Sequence, residues 1–252
     1  MSNNYLVILQ ARMSSTRLPG KVLAEINGIP MIYWQIKRIE KSELIGGICV
    51  AVSEDPSDDV LFNFLVSHNI EVVRGSLNNV INRFMKVIDS HSQENLIRIT
   101  GDCPLMMPNL IDEMIEKFNE QNIDYMSNSI MPTFPDGLDV EIFTRKAFTR
   151  LFECQLSPQE IEHVTLGFYQ RRGEFRISNF MDNFDRSNFR WTVDYPEDLA
   201  FVRNVYSHFK GREASFDYEE VLEFLSSNPE ITSGISARRR NEALSKPIKE
   251  HN

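Results

Sequence analysis

The stretch from residue 5 to residue 21, YLVILQARMSSTRLPGK, constrains the fold more than any other part of the chain. Its first five residues are apolar, which is typical of a buried strand near the start of an α/β domain. Mostly polar or small residues follow, and among them stand three cations, Arg12, Arg17 and Lys21. A loop after a buried strand can point backbone N–H groups at an anion while flexible cations close over it. Three positive charges suit a polyphosphate better than one carboxylate, and a solvated basic loop is the alternative.

This loop matches neither of two common phosphate-binding patterns. A Walker loop requires Gly-Lys followed by Ser or Thr, with another glycine five residues earlier. Here Val22 follows Lys21, and Ser15 stands where the earlier glycine would be. The dinucleotide fingerprint needs three closely spaced glycines, whereas this loop contains one. The stretch therefore predicts a different kind of triphosphate loop.

Strand-like and helix-like segments alternate through the first half of the chain, which predicts an α/β fold with a mainly parallel sheet. The predicted strands cover residues 5–9, 48–52, 71–73, 96–100, 123–126, 138–143, 175–179 and 189–193. Helices are predicted over residues 30–40 and 108–119. Further helices are predicted to begin at Asp55-Pro56, after Pro196 and after Asp217, and one more to end at about residue 90. Another helix, with His163 inside it, is predicted from a capping box at residues 157–160.

Two aspartates directly follow predicted strands. Asp102 comes after Gly101 at the end of one strand, and Asp194 comes at the end of a later one. A carboxylate in such a position can hold Mg²⁺ against phosphate oxygens, and the glycine would let the backbone approach the ligand. A turn or helix-cap role is the alternative for either aspartate. Near Asp194, Glu197 or Asp198 is the better candidate for capping the following helix.

The segment 128–143, NSIMPTFPDGLDVEIF, interrupts the alternation with two prolines and a glycine. It contains three carboxylates, Asp136, Asp139 and Glu141. The last two are separated by one residue, so they would share one face of the predicted strand over residues 138–143.

Composition narrows the class of protein. The chain has 252 residues, of which 42% are hydrophobic and 25% charged, as in ordinary globular proteins. A net charge of −9 argues against a general nucleic-acid binder. Three cysteines, odd in number and without metal-ligand spacing, favour a reduced cytoplasmic setting. No apolar segment approaches the roughly 20 residues needed to span a bilayer, and the N-terminus lacks the apolar region of a signal peptide.

We expect one domain over residues 1–227 and a polar C-terminal tail over residues 228–252. The basic triplet at residues 238–240 is expected to be solvated, or bound to an acidic partner subunit, rather than catalytic.

Four segments resemble the sugar-acid cytidylyltransferases, the enzymes that activate 3-deoxy-manno-octulosonate and the acylneuraminates. They are ILQARMSSTRLPGKVLAEINGIP at 8–30, PDGLDVE at 135–141, EHVTLGFY at 162–169 and RWTVDYPEDL at 190–199. The resemblance runs from about residue 5 to about residue 225, and the order of the segments makes it more specific than any single motif. The second segment matches the branch that contains spore coat polysaccharide biosynthesis protein F and departs from the octulosonate enzymes.

The resemblance implies a three-layer nucleotidyltransferase (Rossmann-like) fold with a mixed, mainly parallel central sheet. It implies transfer of CMP from CTP to a nonulosonic-acid-like sugar acid, with pyrophosphate release, for surface polysaccharide or glycan biosynthesis. Mg²⁺ would be the cofactor, bound by Asp102 and Asp194. The implied catalytic residues are Arg12, Lys21, Asp102 and Asp194. Related enzymes are often dimers, so a homodimer is expected.

The resemblance also implies two groups of binding residues. The nucleotide group is Leu9, Gln10, Ala11, Arg12, Arg17, Lys21, Ser53, Arg74, Gly75, Ser76 and Gly101. The acceptor group is Asp136, Asp139, Glu141 and His163. Turn and capping roles are open alternatives for Ser53 and Ser76. A structural role is open for His163.

Other functions also fit parts of the sequence. Nucleotide-sugar-dependent glycosyltransferases can share this architecture, but they commonly use Asp-x-Asp, and no two aspartates here are two residues apart. A sugar-phosphate or phosphonate nucleotidyltransferase would use a different acceptor, which segment 128–143 does not exclude. A non-catalytic nucleotide sensor would not need the full set of cations and carboxylates. Cytosine as the base rests on the resemblance alone.

Overall fold

The computed structural model describes residues 4–171, 173–232 and 240. Its strands are β1 (Tyr5–Gln10), β2 (Glu25–Ile26), β3 (Ile29–Pro30), β4 (Gly47–Ser53), β5 (Val72–Gly75), β6 (Asn95–Thr100), β7 (Tyr125–Ser127), β8 (Glu141–Thr144) and β9 (Ile177–Asn179). Its helices are α1 (Met31–Ile39), α2 (Asp59–Ser67), α3 (Val80–Asp89), α4 (Pro108–Asn119), α5 (Arg145–Phe152), α6 (Pro158–Glu162), α7 (Leu166–Gln170), α8 (Pro196–His208) and α9 (Tyr218–Ser227). Short 3₁₀ helices cover Lys21–Leu23, Pro56–Asp58 and Pro229–Thr232. Each predicted strand up to residue 179 overlaps an observed one.

Seven strands form one sheet in the order β5-β4-β1-β6-β8-β7-β9. β1 lies between β4 and β6 and pairs with both in parallel, with Ile8 opposite Cys49 and Arg98. β8 pairs antiparallel with β6 and β7, while β7 and β9 are parallel. β2 and β3 form a separate antiparallel pair. The mixed, mainly parallel sheet is therefore confirmed.

The side chains of β1 alternate between two apolar cores on opposite faces of the sheet. Val7 and Leu9 belong to the core that includes residues of α1, α4 and α8. Leu6 and Ile8 belong to the core that includes residues of α3 and α5. A strand that is buried on both faces has a continuous apolar sequence. This is why residues 5–9 predict a central strand, and the three-layer arrangement is confirmed.

Several helices begin where the local sequence predicts. Ser157 and Glu160 form the predicted capping box of α6. Asp217 and Glu220 form another at the start of α9. Asp198 accepts a hydrogen bond from the Tyr195 N–H at 3.0 Å, which confirms its capping role at α8.

The predicted strand over residues 189–193 is wrong. The segment has a single parallel bridge, between Arg190 and Asp136. The Asp136 N–H donates to the Phe189 carbonyl at 2.9 Å, and the Trp191 N–H donates to the Asp136 carbonyl at 2.6 Å. Trp191 is fully buried. The apolar pattern of residues 189–193 therefore reflects packing against the turn at residues 136–139, called the 136 turn below, rather than pairing in the sheet.

Two further predicted features differ from the structure. The strand predicted from residue 138 begins at Glu141, because the Asn128 side chain donates to the Leu138 carbonyl at 2.7 Å and accepts from the Val140 N–H at 2.9 Å. These bonds replace a strand neighbour over residues 138–140. His163 lies at the C-cap of α6 rather than inside the helix, since its ψ of 68° turns the chain out of the helix there.

The described part of the chain contains no helix long and apolar enough to cross a membrane. The boundary between a domain and a tail at residue 227 stays a prediction. Ile231 still packs against the core. The expectation of a solvated basic triplet is wrong at Arg240, whose side chain is 12% exposed and pairs with Asp139. Arg238 and Arg239 lie outside the described residues.

Gly137 is required by the contact between the 136 turn and residues 191–192. Its φ is 110°, and a Cβ there would lie 2.5 Å from the Thr192 nitrogen. We predict that Gly137→Ala lowers the free energy of unfolding by about 2–4 kcal/mol, measured by urea denaturation. Gly173→Ala is the control, because no atom lies within 4 Å of a Cβ at that position. Equal losses of stability in the two variants would contradict this account.

Candidate active site

The carboxyl ends of β1, β4 and β6 meet at one edge of the sheet. The strand order changes direction at β1, which has β4 on one side and β6 on the other. In open α/β sheets, ligands bind at such a switch point. Gly101 follows β6 there, and its N–H donates to the Gln10 carbonyl at 2.8 Å. A Cβ on Gly101 would lie 3.0 Å from the Ala11 Cβ. The glycine therefore keeps the loops after β1 and β6 in contact.

Lys21 lies at the centre of this edge and is 8% exposed. Its Nζ donates to Asp102 Oδ2 at 2.9 Å, to Asp194 Oδ1 at 2.9 Å and to the Val193 carbonyl at 2.8 Å. The left-handed backbone of Gly20, with φ of 73°, precedes the short 3₁₀ helix that carries Lys21. The structure thus brings together one cation and two carboxylates that are far apart in sequence.

The other two cations of the N-terminal loop lie differently. Arg17 pairs with Asp194 at 2.6 Å and lies over the ring of Tyr195, 5.3 Å from its centroid. Arg12 is exposed and, among the described residues, forms no ion pair. Burial and then the nearby charge of Arg12 lower the pKa of Arg83, in the first half of α3, to about 10. Arg12 is therefore available to a bound anion.

Both aspartates of the site are ionised at neutral pH. Burial alone would raise the pKa of Asp102, but Lys21 and a 2.6 Å hydrogen bond from Thr100 Oγ1 hold it well below its usual range. Burial likewise opposes ionisation of Asp194, and Lys21 and Arg17 outweigh it, so the pKa is lowered. The same carboxylates outweigh burial at Lys21 and raise its pKa. The cluster is thus a set of full charges rather than neutral groups.

This pair of carboxylates has the donor chemistry that Mg²⁺ prefers. The Lys21 ammonium already lies between one oxygen of each aspartate, so both oxygens can serve a single shared cation. The Asp102 side chain is 26% exposed, which leaves one carboxylate open to solvent. The residues present therefore fit a divalent cation.

Arg190 forms a second layer behind Asp194 and was not singled out from the sequence. Its guanidinium donates to Asp136 Oδ2 at 2.9 Å, to Asp194 Oδ2 at 2.9 Å and to both oxygens of Asp198 at 3.2 Å. Burial opposes its charge, but the three carboxylates, Asp198 first, outweigh it and raise its pKa. Asp198 also accepts from the Asp194 N–H at 2.9 Å. The orientation of Asp194 is thus fixed on two sides.

Asp58 is not singled out from the sequence either, although it lies in the acidic segment SEDPSDD at residues 53–59. It is fully buried. Its carboxylate accepts from the Met13 N–H at 2.6 Å, from the Ser53 N–H at 3.0 Å and from the Ser53 hydroxyl. It therefore joins the cationic loop after β1 to the end of β4.

The side chains expected around the base are mostly bound to protein. The Ser53 hydroxyl is engaged by Asp58, and Arg74 donates to the Ser53 carbonyl at 2.9 Å and the Asp55 carbonyl at 3.1 Å. Ser76 Oγ accepts from the Asn79 N–H at 3.0 Å. These contacts are turn and capping interactions, so any base contact from Ser53 or Ser76 would come mainly from their backbone.

The remaining predicted nucleotide residues offer mainly backbone groups as well. A Cβ on Gly75 would lie 2.7 Å from Arg83 Cγ, so β5 packs tightly against α3 here. Leu9 and Ala11 are buried in the apolar core. Gln10 Oε1 accepts from Arg98 Nε at 3.2 Å.

Each of the three predicted acceptor carboxylates is in an ion pair: Asp136 with Arg190, Asp139 with Arg240 and Glu141 with Arg98. Asp139 pairs with Arg240, which also lies 3.8 Å from Asp136 and donates to the Phe134 carbonyl at 3.0 Å. Burial and the neighbouring Asp139 raise the pKa of Asp136 to about 6, despite Arg240 and Arg190. Arg240, which is expected from the sequence to be solvated or bound to an acidic partner subunit, therefore lies beside Asp136 and Asp139.

Glu141 lies apart from that pair. It is paired with Arg98 and accepts from the Tyr125 hydroxyl at 2.6 Å and the Thr165 hydroxyl at 2.5 Å. Burial, with Arg98 and Arg12, lowers the pKa of His163 against the effect of Glu162. Glu141 and His163 thus lie on the Arg98 side of the site. A charged residue within the apolar run LIRIT is the signal that could have identified Arg98 from the sequence.

The fold and the charge cluster at its switch point define an α/β enzyme of the nucleotidyltransferase class. A sequence model of the family described as "Cytidylyltransferase" matches residues 6–223. The chain therefore belongs to the cytidylyltransferase family and is a CTP-dependent nucleotidyltransferase. The resemblance to sugar-acid cytidylyltransferases is confirmed.

Three similar proteins support this assignment. Spore coat polysaccharide biosynthesis protein SpsF of Bacillus subtilis (strain 168) is 30% identical over 92% of this chain and 98% of its own length. The 3-deoxy-manno-octulosonate cytidylyltransferase of Geobacter metallireducens is 32% identical over 77% of this chain and 67% of its own. The structure of a cytidylyltransferase from Leptospira borgpetersenii has a TM-score of 0.86 and 28% identity, covering 92% of this chain and 97% of that one.

We predict that Asp58→Asn loosens the cationic loop. The amide would direct N–H groups at a buried donor, Met13 or Ser53, and should cost about 1–3 kcal/mol in the free energy of unfolding. The KM for CTP should rise as well. Asp59→Asn is the neighbouring control, because Asp59 is 55% exposed in its pair with Arg74 and should cost at most about 1 kcal/mol. Urea denaturation and CTP titration of both variants test this. An unchanged KM in a destabilised Asp58→Asn would contradict the link to the loop.

Proposed function

We propose that this enzyme transfers CMP from CTP to a nonulosonic-acid-like sugar acid and releases pyrophosphate. The product would serve surface polysaccharide or glycan biosynthesis. The observation that carries the proposal is the convergence of Lys21, Asp102 and Asp194 at the switch point of the sheet, with both carboxylate contacts at 2.9 Å. We also propose that the reaction occurs in the cytoplasm, where CTP is available.

Nucleotidyl transfer needs positioning and charge neutralisation more than covalent work by the protein. An acceptor oxygen attacks the α-phosphorus of CTP while pyrophosphate leaves. Arg12, Arg17 and Lys21 would bind the β- and γ-phosphates and neutralise the leaving group. Lys21 and Arg17 currently neutralise Asp102 and Asp194, so CTP would compete with these carboxylates for the two cations. The scheme requires no separate protein base.

Asp102 and Asp194 would hold Mg²⁺. Bound there, the ion would polarise phosphate oxygens and lower the pKa of the acceptor hydroxyl. The role of the protein is to keep both carboxylates ionised and correctly oriented, through Arg190 and Asp198 behind Asp194 and through Thr100 beside Asp102.

The base of the nucleotide would lie against the backbone of residues 9–11 and of the loop at residues 74–76. Arg74 and Asp58 support this side by fixing the ends of β4 and β5. Backbone N–H and carbonyl groups held in place can distinguish cytosine from the other bases by hydrogen bonding.

The acceptor would lie on the opposite side, among Asp136, Asp139, Glu141 and His163. Carboxylates accept hydrogen bonds from sugar hydroxyls, and the Arg98 guanidinium, which pairs with Glu141, would bind the acid group of the substrate. A sugar-phosphate or phosphonate acceptor is the alternative substrate for this same site.

A pyrophosphate-release screen tests the proposed function. Each of the four nucleoside triphosphates is combined with a panel of sugar acids, sugar phosphates and phosphonates. We expect pyrophosphate with CTP and a sugar acid. Release of pyrophosphate only with a sugar phosphate would show that the acceptor is a sugar phosphate and not a sugar acid. Free nucleoside diphosphate as the product, from a nucleotide sugar, would indicate a glycosyltransferase instead.

We predict that Asp102→Asn and Asp194→Asn each lower kcat by roughly 10²–10³-fold or more while the circular dichroism spectrum is unchanged. The reason is the loss of one of two shared anionic ligands. Asp185→Asn is the control, since Asp185 is exposed and its carboxylate bonds locally to Ser187. Near-normal turnover of either site variant at saturating Mg²⁺ would disprove its metal assignment. Chelation of the wild-type enzyme should abolish turnover, and Mg²⁺ should restore it.

We also propose that the enzyme is a homodimer. Three large apolar side chains are exposed in neighbouring loops, Met131 at 58%, Met181 at 53% and Phe184 at 66%. The Met131 N–H donates to Asn179 Oδ1 at 2.9 Å, which holds the two loops side by side. An exposed apolar group of this kind favours a protein contact.

Sedimentation velocity should therefore give twice the chain mass for the wild type, and Phe184→Glu should shift it toward the monomer. Val60→Glu is the matched control, because Val60 is 54% exposed on α2 and lies outside these loops. A wild type that sediments as a monomer at tens of micromolar would end the dimer proposal without affecting the catalytic one.

A further inference from the structure

A second cluster of ligand-type side chains lies at the opposite edge of the sheet from the catalytic cluster. Cys49 is near the start of β4, Glu71 immediately precedes β5, and His91 follows α3. The Cys49 Sγ, a Glu71 carboxylate oxygen and a ring nitrogen of His91 all lie within 4.8 Å of one another. Within the described ranges this is the one group of three metal-ligating side chains at such spacing.

The hydrogen bonds of His91 leave one ring nitrogen for a ligand. Nδ1 lies 2.7 Å from the Val87 carbonyl, which can only accept, so Nδ1 carries a proton. Ser90 Oγ also donates to that carbonyl, at 2.8 Å, and lies 3.0 Å from Nδ1. A histidine whose Nδ1–H donates to a backbone carbonyl is oriented for metal binding through Nε2.

Nε2 of His91 is buried and has no hydrogen-bond partner in the structure. The side chain as a whole is 9% exposed. Nε2 lies 3.0 Å from a Glu71 carboxylate oxygen but outside hydrogen-bond geometry, so a neutral ring brings two electron-rich atoms close together. A cation between the two groups, or a second ring proton, removes this repulsion.

We propose that Cys49, Glu71 and His91 form a zinc site. One thiolate, one imidazole nitrogen and one carboxylate oxygen are the three kinds of ligand that Zn²⁺ takes, and water would complete four-fold coordination. Bond lengths of the usual size place such ligands about 3.5 Å apart, so small side-chain movements would close the cluster around the ion.

The binding step exchanges a proton for the metal. Burial, and then the charge of Glu71, raise the pKa of the Cys49 thiol to about 12, so the thiol is protonated without a metal. Zn²⁺ would take the Sγ electron pair and release that proton to solvent through the Glu71 side, where the carboxylate is 60% exposed. Affinity should therefore rise with pH.

Such a site would lie apart from Lys21, Asp102 and Asp194. α3 begins near the edge of the sheet that carries Lys21, Asp102 and Asp194, called the catalytic edge below. It then runs back along the sheet for ten residues, about 15 Å, before His91. The ion would tie the end of α3 to β4 and β5 without contacting the catalytic carboxylates.

Cobalt substitution tests the site in the full-length, chelator-treated protein. We expect one equivalent of Co²⁺ to produce thiolate-to-cobalt charge-transfer absorption, and excess Mg²⁺ not to displace it. Cys103 lies 3.6 Å from Asp102 Oδ1 and could give a similar band from the catalytic edge. The band should therefore persist in Cys103→Ala and in Cys154→Ser, and disappear in Cys49→Ser.

Glu71→Gln keeps the test decisive if Cys49→Ser fails to fold, because Glu71 is largely exposed. It should weaken Co²⁺ binding at least tenfold. Zn²⁺ at a hundredfold excess over Kd should raise the wild-type Tm by about 5 °C, and His91→Gln should lose that shift. His68→Gln, at an exposed histidine outside the cluster, should retain it.

Absence of the band and of the Tm shift would overturn the proposal and leave an imidazolium–carboxylate pair. A band that survives in Cys49→Ser, or that is lost in Cys103→Ala, would overturn it as well and move the metal to the catalytic edge.

Discussion

The catalytic edge depends on one ammonium group held between two carboxylates. Lys21 is almost fully buried, and a charge at that depth is stable only when it is paired and hydrogen-bonded. Asp102, Asp194 and the Val193 carbonyl supply that pairing. Loss of one partner from such a group costs about 3–5 kcal/mol, so the three segments that carry these residues are strongly constrained to meet. The same charges carry the proposed chemistry, in which the carboxylates would bind a metal ion and the cations would bind phosphate.

A second layer of buried charge fixes the first. Arg190 joins Asp194 to Asp198 and Asp136, while Asp58 joins the cationic loop to β4. Neither Arg190 nor Asp58 needs to touch a substrate for this purpose. Preorganised charges of this kind need little rearrangement when the reaction begins, which is the main source of electrostatic catalysis.

The two halves of the site are built differently. The proposed nucleotide half follows parallel strands, whose carboxyl ends necessarily meet at one edge of the sheet. The proposed acceptor half comprises the turn at residues 136–139, the antiparallel strand β8 and Arg240, which follows the last helix. Turns and terminal segments change more readily than a central sheet, so this half is the one that can adapt to different acceptors. The second cluster, at Cys49, Glu71 and His91, lies at the other edge of the sheet, apart from both halves.

The sequence by itself determined the fold class and most of its elements. Residues 5–9 are continuously apolar because β1 is covered on both faces, and the capping residues Ser157 and Asp217 act within a few positions of themselves. Only the tertiary structure decided that residues 189–193 would pack beside the 136 turn, because a buried strand and a buried extended segment have the same apolar pattern. It also decided the partners of Lys21, Asp58, Arg190 and Arg240. The ion pairs of Lys21 with Asp194 and of Arg190 with Asp136 join residues 173 and 54 positions apart. Such pairing follows from three-dimensional proximity in a low dielectric, and no local sequence pattern encodes that proximity.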